Sequence, residues 1–320
     1  MRIVAITRIK DEVDIVEAFI RHTAWFVDYH ILIDNGSIDG TLEILKKLHA
    51  EGLPIWVFRN SMPMFTVEKY FMNALLRLAR SMGHADWVVP VDTDEFLDLR
   101  EGVPSLRAVL EEIDPAAPGI AIPSVIYSPR NDDPAGEANV ALRITHRWDP
   151  IPEVQKVIVR VDDESLRRRT LGPGNHALLA DGDEVPLPLS ADVKVAHFYR
   201  RTVAQEALKA VLGRLRAMSC PDGAECGHYQ LMYDRVKDDP LLWLLGPSGD
   251  HSRPMVRDPI AYRGTPLVHT PPGDDSPARF IRALIAHGEL QAKMQRELWQ
   301  MLDPDRSILA REMAKLEPVL

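Results

Sequence analysis

Cysteine is almost absent from this sequence: Cys220 and Cys226 are the only two among 320 residues. Two cysteines exclude the disulfide framework of a small secreted scaffold. With His228 they supply at most three zinc ligands at loose spacing, whereas a closed structural zinc site needs four. We therefore expect a surface loop at this point and a protein that works in the cytoplasm.

Long apolar runs are also missing. None approaches the roughly 18–20 residues that a membrane-spanning helix requires. The first residues, MRIVAITRIKDEVD, lack the apolar stretch and the small-residue cleavage site of a signal peptide. We expect neither a spanning helix nor a leader, and we interpret the first residues as a strand that enters the fold.

Basic residues are outnumbered, because 38 Lys and Arg face 47 Asp and Glu, which gives a formal net charge of -9. This balance argues against a nucleic-acid partner, whose phosphate backbone selects basic surfaces. An anionic small-molecule substrate stays compatible with it, since a divalent cation can offset the charge of such a substrate locally.

The first hundred residues alternate apolar runs with patterns of helical period. Strands are expected at residues 2–7, 30–33, 54–58 and 87–91, and apolar residues recur at helical spacing between them. This order predicts an α/β fold with a mainly parallel sheet and helices on both faces. Such sheets bind ligands at the carboxyl ends of their strands. Polar residues 7–11, 34–37 and 92–95 all follow strands in this way.

The pattern changes from about residue 115 onward. Further strands are expected at residues 120–126, 141–145, 156–161 and 193–199, and helices at residues 202–218, 229–237 and 277–302, with a final turn near 307–316. Residues 246–274 are rich in Pro, Gly and Asp and predict a long surface loop or a partial lid.

Two short segments carry the chemistry. Asp92 and Asp94 lie two residues apart directly after an apolar strand, and carboxylates of this kind suit Mg²⁺ or Mn²⁺. A lone Asp-x-Asp would indicate solvated or helix-capping carboxylates; its place after a buried-looking strand favours a metal site. Asp34, which precedes a glycine turn and a helix start, either caps that turn or accepts a hydrogen bond from a base or ribose.

Taken in order, these segments resemble the family 2 glycosyltransferases of the GT-A fold, over roughly residues 1–215. The matching pieces are ITRIKDE at residues 6–12, DNGSIDGT at 34–41, Lys69 with Asn73, VDTDEF at 91–96, and HFYR at 197–200. The resemblance implies a GT-A domain over residues 1–200, with a nucleotide-binding half (1–100) and an acceptor half (101–200). Residues 201–320 would be a helical extension.

The resemblance also implies roles for single residues. The metal, Mn²⁺ or Mg²⁺, would be held by Asp92, Asp94 and His197, and imidazole suits Mn²⁺ better than Mg²⁺. Asp34 would read the base, which favours a UDP-sugar as the donor. Arg200 or Arg201 would add positive charge beside the leaving group. The expected donor-site residues are Thr7, Arg8, Glu12, Asp34, Lys69, Asp92, Thr93 and Arg200.

An inverting transfer, usual in this family, needs a carboxylate base for the acceptor hydroxyl. Asp149 and Glu153, in WDPIPE, are the candidates. The family's usual acidic pair before a helix is not recognisable here, so the base and the stereochemistry stay open. His176 is either a further site histidine or a plain surface residue. Aromatic side chains that could form a sugar platform, or simply pack in the core, are Tyr127, Trp148 and Phe198.

Other function classes stay open. A nucleotidyltransferase would show a glycine-rich loop after the first strand, which is missing here. A dehalogenase-like phosphatase would carry its Asp-x-Asp near the beginning of its core, whereas this pair follows three βα units. A sugar-nucleotide-binding protein without transferase activity is the non-enzymatic alternative.

The sequence does not identify the acceptor, which could be a small molecule, a glycan or a lipid-linked molecule. A homodimer also stays open. Basic Lys209, Arg214 and Arg216 indicate either a solvated helix face or peripheral contact with a membrane.

Overall fold

The structure is a computed structural model that describes residues 1–60, 68–134, 136–162, 165–218, 227–239, 253–271 and 277–302. The strands are β1 (Ile3–Ile9), β2 (Tyr29–Asp34), β3 (Ile55–Arg59), β4 (Trp87–Pro90), β5 (Glu95–Leu99), β6 (Gly119–Ile126), β7 (His146–Trp148), β8 (Gln155–Arg160), β9 (Arg169–Leu171), β10 (Leu178–Ala180), β11 (Asp183–Glu184), β12 (Val193–His197) and β13 (Met255–Arg257). The helices are α1 (Val16–Thr23), α2 (Thr41–Ala50), α3 (Glu68–Ser81), α4 (Leu106–Glu111), α5 (Val140–Arg143), α6 (Ser165–Arg168), α7 (Val203–Met218), α8 (Gly227–Asp238) and α9 (Pro277–Leu302).

One eight-stranded sheet organises the chain, in the order β3-β2-β1-β4-β8-β6-β12-β5. The β1–β2, β1–β4, β2–β3 and β6–β12 pairs are parallel, while β8 and β5 pair antiparallel to their neighbours. The expected α/β class with a mainly parallel sheet is confirmed. The carboxyl ends of β1, β2 and β4 therefore lie side by side at one edge.

Two hydrophobic cores cover the two faces of this sheet, because alternate side chains of a strand point in opposite directions. Ala5 of β1 packs in one core with Phe19 of α1 and Leu45 of α2. Its neighbour Val4 packs in the other core with Leu75 of α3. Burying each such larger side chain stabilises the fold by about 1.5–3 kcal/mol. Helices on both faces, as predicted, thus fix the positions of the strand ends.

Strand β5 was not among the expected strands, and it matters for the site. The chain turns at residues 91–94 after β4 and re-enters the same sheet at its far edge, antiparallel to β12. In that pairing Glu95 lies opposite His197. The Asp-x-Asp turn is therefore bounded by two strands of one sheet, and β12 brings its last residue beside that turn.

One local expectation was wrong. Residues 141–145 do not form a strand; helix α5 occupies residues 140–143, because the Asn139 side chain accepts a hydrogen bond from the Ala141 amide and caps a helix start. Of the loop or partial lid expected at residues 246–274, the structure describes residues 253–271, which are largely irregular. They include β13 and pack on α1, where Tyr262 stacks on His22 with ring centroids 5.5 Å apart. Cys220, Cys226 and residues 307–316 lie outside the described residues.

Three of the longer helices, α7, α8 and α9, follow the last strand of the main sheet, and α7 packs on both others. None of the helices in the described part of the chain combines the length and apolar character that a membrane span would need. The division into a domain of residues 1–200 and an extension of residues 201–320 stays a prediction.

Candidate active site

The three polar segments that the sequence placed at strand ends meet in the structure. Thr7 near the end of β1 donates a hydrogen bond from Oγ1 to the carbonyl oxygen of Val91, at 2.7 Å, just before the Asp-x-Asp turn. The amide of Ile38, beyond β2, donates to Oδ1 of Asp11 at 2.8 Å. Thr7 itself is fully buried, so its contribution is to join β1 to the turn rather than to face a ligand.

Asp94 lies at the centre of this edge, almost fully buried among three basic side chains. Its carboxylate is 2.5 Å from Nζ of Lys209, 3.5 Å from Nε2 of His197 and 3.8 Å from Nη1 of Arg201. Burial alone would raise the pKa of Asp94, but the charges of Lys209 and His197 lower it well below its usual value. Asp94 is therefore ionised throughout the physiological range.

The pKa of His197 moves in the opposite direction. Burial alone would lower it, but the Asp94 carboxylate, through its charge and a hydrogen bond, raises it above the usual value. The imidazole reaches Asp94 because β12 ends at His197 and the Phe198 amide donates to the backbone carbonyl of Asp94 at 2.7 Å. The backbone thus fixes how close these two side chains lie.

Arg201 connects the first loop of the chain to the segment that follows β12. Its guanidinium is 2.5 Å from a carboxylate oxygen of Glu12 and 2.7 Å from one of Asp14, and it is 2% exposed. Burial raises the pKa of Glu12 to about 7, although Arg201 and Lys209 lower it. A buried, multiply paired arginine of this kind holds its neighbours in fixed positions.

Lys156, at the beginning of β8, is a second basic side chain that holds carboxylates of the site in place, namely Asp92 and Glu95. Its ammonium contacts Asp92 at 3.0 Å, Glu95 at 2.7 Å and the carbonyl of Gly174 at 2.7 Å. Burial raises the pKa of Glu95 while the lysine lowers it. Lys156 was not predicted as a site residue. A lysine directly before the apolar run of residues 157–159 was the available signal, because a lysine is rarely buried without partners.

These side chains form two layers. The floor, defined as Asp94, Glu95, Lys156 and Arg201, is at most 5% exposed, while Asp92, His197 and Lys209 are 28–33% exposed and form a rim above it. A ligand that approaches Asp94 must therefore pass the rim. The floor residues are paired with one another, so the rim supplies the groups that a ligand meets first.

The structure brings together two of the three expected metal ligands. Oδ1 of Asp94 and Nε2 of His197, 3.5 Å apart, are an oxygen and a nitrogen that could bind the same Mn²⁺ ion. Asp92 turns instead to Lys156. No trio of His, Cys, Asp or Glu arranged for a metal occurs among the residues that the structure describes. Two protein ligands still fit a cation that keeps waters and bridges to phosphates, as Mg²⁺ commonly does.

The other residues predicted for the donor site differ in how deeply they are buried and in what they contact. Asp34 is fully buried; its carboxylate accepts from the Ser37 amide at 3.1 Å and lies 3.7 Å from Nε of Arg59. That contact matches the turn-capping interpretation, and the base-reading role stays a prediction. Arg8 is half-buried and Thr93 buried.

Lys69 and Asn73 both lie on α3. The side chain of Lys69 lies outside the part of the structure that is described. Asn73 holds the end of β9 in place: its side-chain amide donates to the carbonyl of Leu171 at 3.1 Å and its oxygen accepts from the Leu171 amide at 2.8 Å. We therefore assign Asn73 a structural role at the β9 end of the site.

Arg200 forms an ion pair with Glu206 at 3.0 Å. Its neighbour Arg201 is the arginine that the floor contains. Of the two base candidates, Asp149 is half exposed and pairs with Arg147 at 3.2 Å, and Glu153 is exposed.

The other residues weighed from the sequence are also placed. His176 shares a hydrogen bond with the Gln155 carbonyl at 2.7 Å, next to Lys156. Tyr127 and Phe198 are fully buried core residues. The Trp148 ring is 6.2 Å from that of Tyr199, whose ring in turn lies 5.5 Å from His197. Trp148 thus lies on the β12 side of the site.

No protein-family model matches the sequence, and a search of curated proteins found no match. Similar solved structures include TarS of S. aureus, with 12% identity and a TM-score of 0.41, over 74% of this chain and 43% of TarS. The mannosyltransferase PcManGT from Pyrobaculum calidifontis, in complex with GDP-Man and Mn²⁺, has 15% identity and a TM-score of 0.38, over 77% of this chain and 70% of its own.

A glycosyltransferase involved in glycosylation of the major capsid of PBCV-1 is also similar, with 10% identity and a TM-score of 0.24, over 52% of this chain and 62% of its own. This chain therefore spans less than half of TarS. With TM-scores below 0.5, these likenesses add no argument about activity, which must come from the residues of this chain.

Proposed function

We propose that this chain is a glycosyltransferase that moves a sugar from a nucleoside-diphosphate sugar to an acceptor hydroxyl. The observation that carries the proposal is the position of Asp94. It is an ionised carboxylate, buried at the carboxyl ends of parallel strands, with His197 3.5 Å away. Parallel sheets bind ligands at this edge, and the Asp94–His197 pair is suited to a divalent cation.

The charges of the site match a diphosphate leaving group. Departure of the sugar leaves negative charge on the diphosphate, and a bound divalent cation would stabilise it as a Lewis acid. The chain contributes positive charge at the same place, fixed in Arg201 of the floor and carried on a flexible side chain by Lys209 of the rim. Fixed charges are effective because they need no reorganisation when the bond breaks. Asp92 stays oriented by Lys156 at the opening.

Within this proposal UDP is the preferred nucleotide, through Asp34, and Mn²⁺ is the preferred cation, through His197. Asp149 and Glu153 remain the proposed acceptor bases. Their exposed surroundings leave them accessible to an acceptor hydroxyl, and the base would have to lie within hydrogen-bonding reach of it. Inversion at the anomeric carbon goes with this assignment.

We expect UDP to raise the melting temperature of the protein only when Mn²⁺ is present. Ligand that binds the native state at about 100 times its Kd adds about 2.7 kcal/mol to the unfolding free energy. The measurement is a thermal-shift panel of UDP, GDP and dTDP with and without Mn²⁺ or Mg²⁺. If GDP or dTDP raises the melting temperature and UDP does not, the donor nucleotide is not UDP. If none of the three nucleotides raises it, the proposed function is wrong.

Two activity assays separate the rival classes. Slow release of UDP from a UDP-sugar without acceptor indicates a transferase, since water can replace the acceptor at an intact site. Nucleotide binding without any release indicates a sugar-nucleotide-binding protein. Phosphate release from simple phosphomonoesters indicates the phosphatase class. We expect release of UDP from the wild type, and Asp94→Asn should lack it.

A further inference from the structure

Lys209 is the rim residue that the sequence did not place in the site. It lies on α7, 115 residues after Asp94, and its ammonium is 2.5 Å from Oδ2 of that carboxylate. The Lys209 side chain is 30% exposed, whereas Asp94 is 5% exposed. The lysine therefore lies between the buried carboxylate and the opening of the site.

The three basic groups around Asp94 are held in different ways. Arg201 is fixed by Glu12 and Asp14 as well, and its side chain is 1% exposed. His197 is fixed by the end of strand β12. Lys209 reaches Asp94 with a flexible four-carbon side chain, which can turn its ammonium to another acceptor without moving the helix. Of the three, Lys209 is the group that can change partner at little conformational cost.

A divalent cation at Asp94 would force such a change. The ammonium is in contact with the carboxylate that the cation would bind, and two positive charges at that distance repel strongly in a poorly solvated site. A diphosphate that arrives with the cation supplies the missing acceptor, because lysine binds phosphate oxygens well as a compact positive charge.

We propose that Lys209 exchanges partners during donor binding. It pairs with Asp94 in the ligand-free protein and moves to a phosphate of the nucleoside diphosphate when a divalent cation occupies Asp94. The inference rests on the proposed function and adds to it a phosphate-binding residue from α7. In this exchange the lysine competes with the free cation but assists the nucleotide.

The exchange predicts opposite signs for two binding measurements on Lys209→Met, which keeps the length of the side chain and removes its charge. Mn²⁺ alone should bind about tenfold more tightly, because its competitor at Asp94 is gone. UDP at saturating Mn²⁺ should bind about tenfold more weakly, because one charge-assisted contact to phosphate is lost. Free Mn²⁺ measured by electron paramagnetic resonance and UDP binding measured by calorimetry provide the two values.

Two further variants control the result. Arg214→Met removes a positive charge from the same helix and should leave both affinities unchanged. Lys209→Arg keeps the positive charge in a different side chain. Because arginine also binds phosphate, this variant should retain UDP binding within about threefold of the wild type. Folding of each variant is checked by circular dichroism.

The outcomes are distinct. If Lys209→Met weakens the binding of both Mn²⁺ and UDP, or changes neither affinity, the proposed exchange is wrong, even though the wild type binds both ligands. If Lys209→Arg loses as much UDP affinity as Lys209→Met, the positive charge is not what binds the phosphate, and the exchange is again wrong. If the wild-type chain binds neither Mn²⁺ nor any nucleoside diphosphate, the proposed function itself fails and the exchange fails with it.

Discussion

Asp94→Asn is expected to lower kcat/KM for sugar transfer by a factor of about 10²–10³, the range found when one preorganised electrostatic contact to a transition state is removed. The amide keeps the shape of the side chain but removes the charge that His197 and Lys209 surround. It also weakens the proposed cation site, so the thermal shift with UDP and Mn²⁺ should disappear. Initial rates of UDP release, measured over a range of donor concentrations, provide the value.

Asp98→Asn is the matched control for this variant. Asp98 lies four residues further along, on β5, is largely buried, and faces Lys194 at 3.5 Å. Burial raises the pKa of Asp98, and the amide of Asn keeps a side-chain oxygen that can accept from the Ala261 amide as Asp98 does. The control should keep the nucleotide-dependent shift. If Asp94→Asn transfers sugar as well as Asp98→Asn does, Asp94 lies outside the chemistry and the proposal loses its main support.

The sequence was sufficient to predict the strand-end part of this site. Parallel pairing places the carboxyl ends of β1, β2 and β4 at one edge whatever the loops do, so polar residues after those strands had to converge. The Asp11 contact with the turn after β2, and the Thr7 contact with Val91, are the result. His197 was expected at the site only through the family resemblance, because the expected strand ran to residue 199, whereas β12 ends at His197 itself.

The basic half of the site was harder to predict for a physical reason. Lys156, Arg201 and Lys209 reach the carboxylates from β8, from the segment after β12 and from α7, each more than sixty residues from its partner along the chain. Which side chain meets a carboxylate then depends on how β8 inserts between β4 and β6 and on how α7 packs. Neither was visible in local patterns, so Arg200 could not be told from Arg201.

The same limit explains residues 253–271, where a Pro-, Gly- and Asp-rich composition correctly indicated irregular backbone but not where that backbone packs. Its attachment depends on Glu17 of α1, a fully buried carboxylate. Three consecutive backbone amides, a hydroxyl and a guanidinium donate to this side chain, from Val268, His269, Thr270 and Arg21. Arg21 also donates to Thr265. Glu17 thus accepts most of the hydrogen bonds between this segment and α1.

Glu17→Ala is expected to lower the free energy of unfolding by about 3–5 kcal/mol, the range for removing one partner of a buried charge pair and leaving the other groups unsatisfied. Urea denaturation followed by circular dichroism measures it. Glu43→Ala on α2, whose side chain is exposed, is the matched control and should stay within about 0.5 kcal/mol of the wild type. Equal losses in the two variants would mean that Glu17 does not anchor the segment.

The pH dependence of the Glu17 effect provides an independent test. Burial alone would raise the pKa of Glu17, but the hydrogen bonds from Val268, Thr270, His269 and Arg21 lower it from 4.5 to about 2. A carboxyl whose pKa is lower in the folded state stabilises the fold fully above the pKa of the unfolded chain, and that contribution falls as the pH drops toward the folded value. The difference in unfolding free energy between wild type and Glu17→Ala should therefore narrow from pH 4.5 toward pH 2, whereas a difference that stays constant over this range would show that the ionised carboxylate is not the anchor.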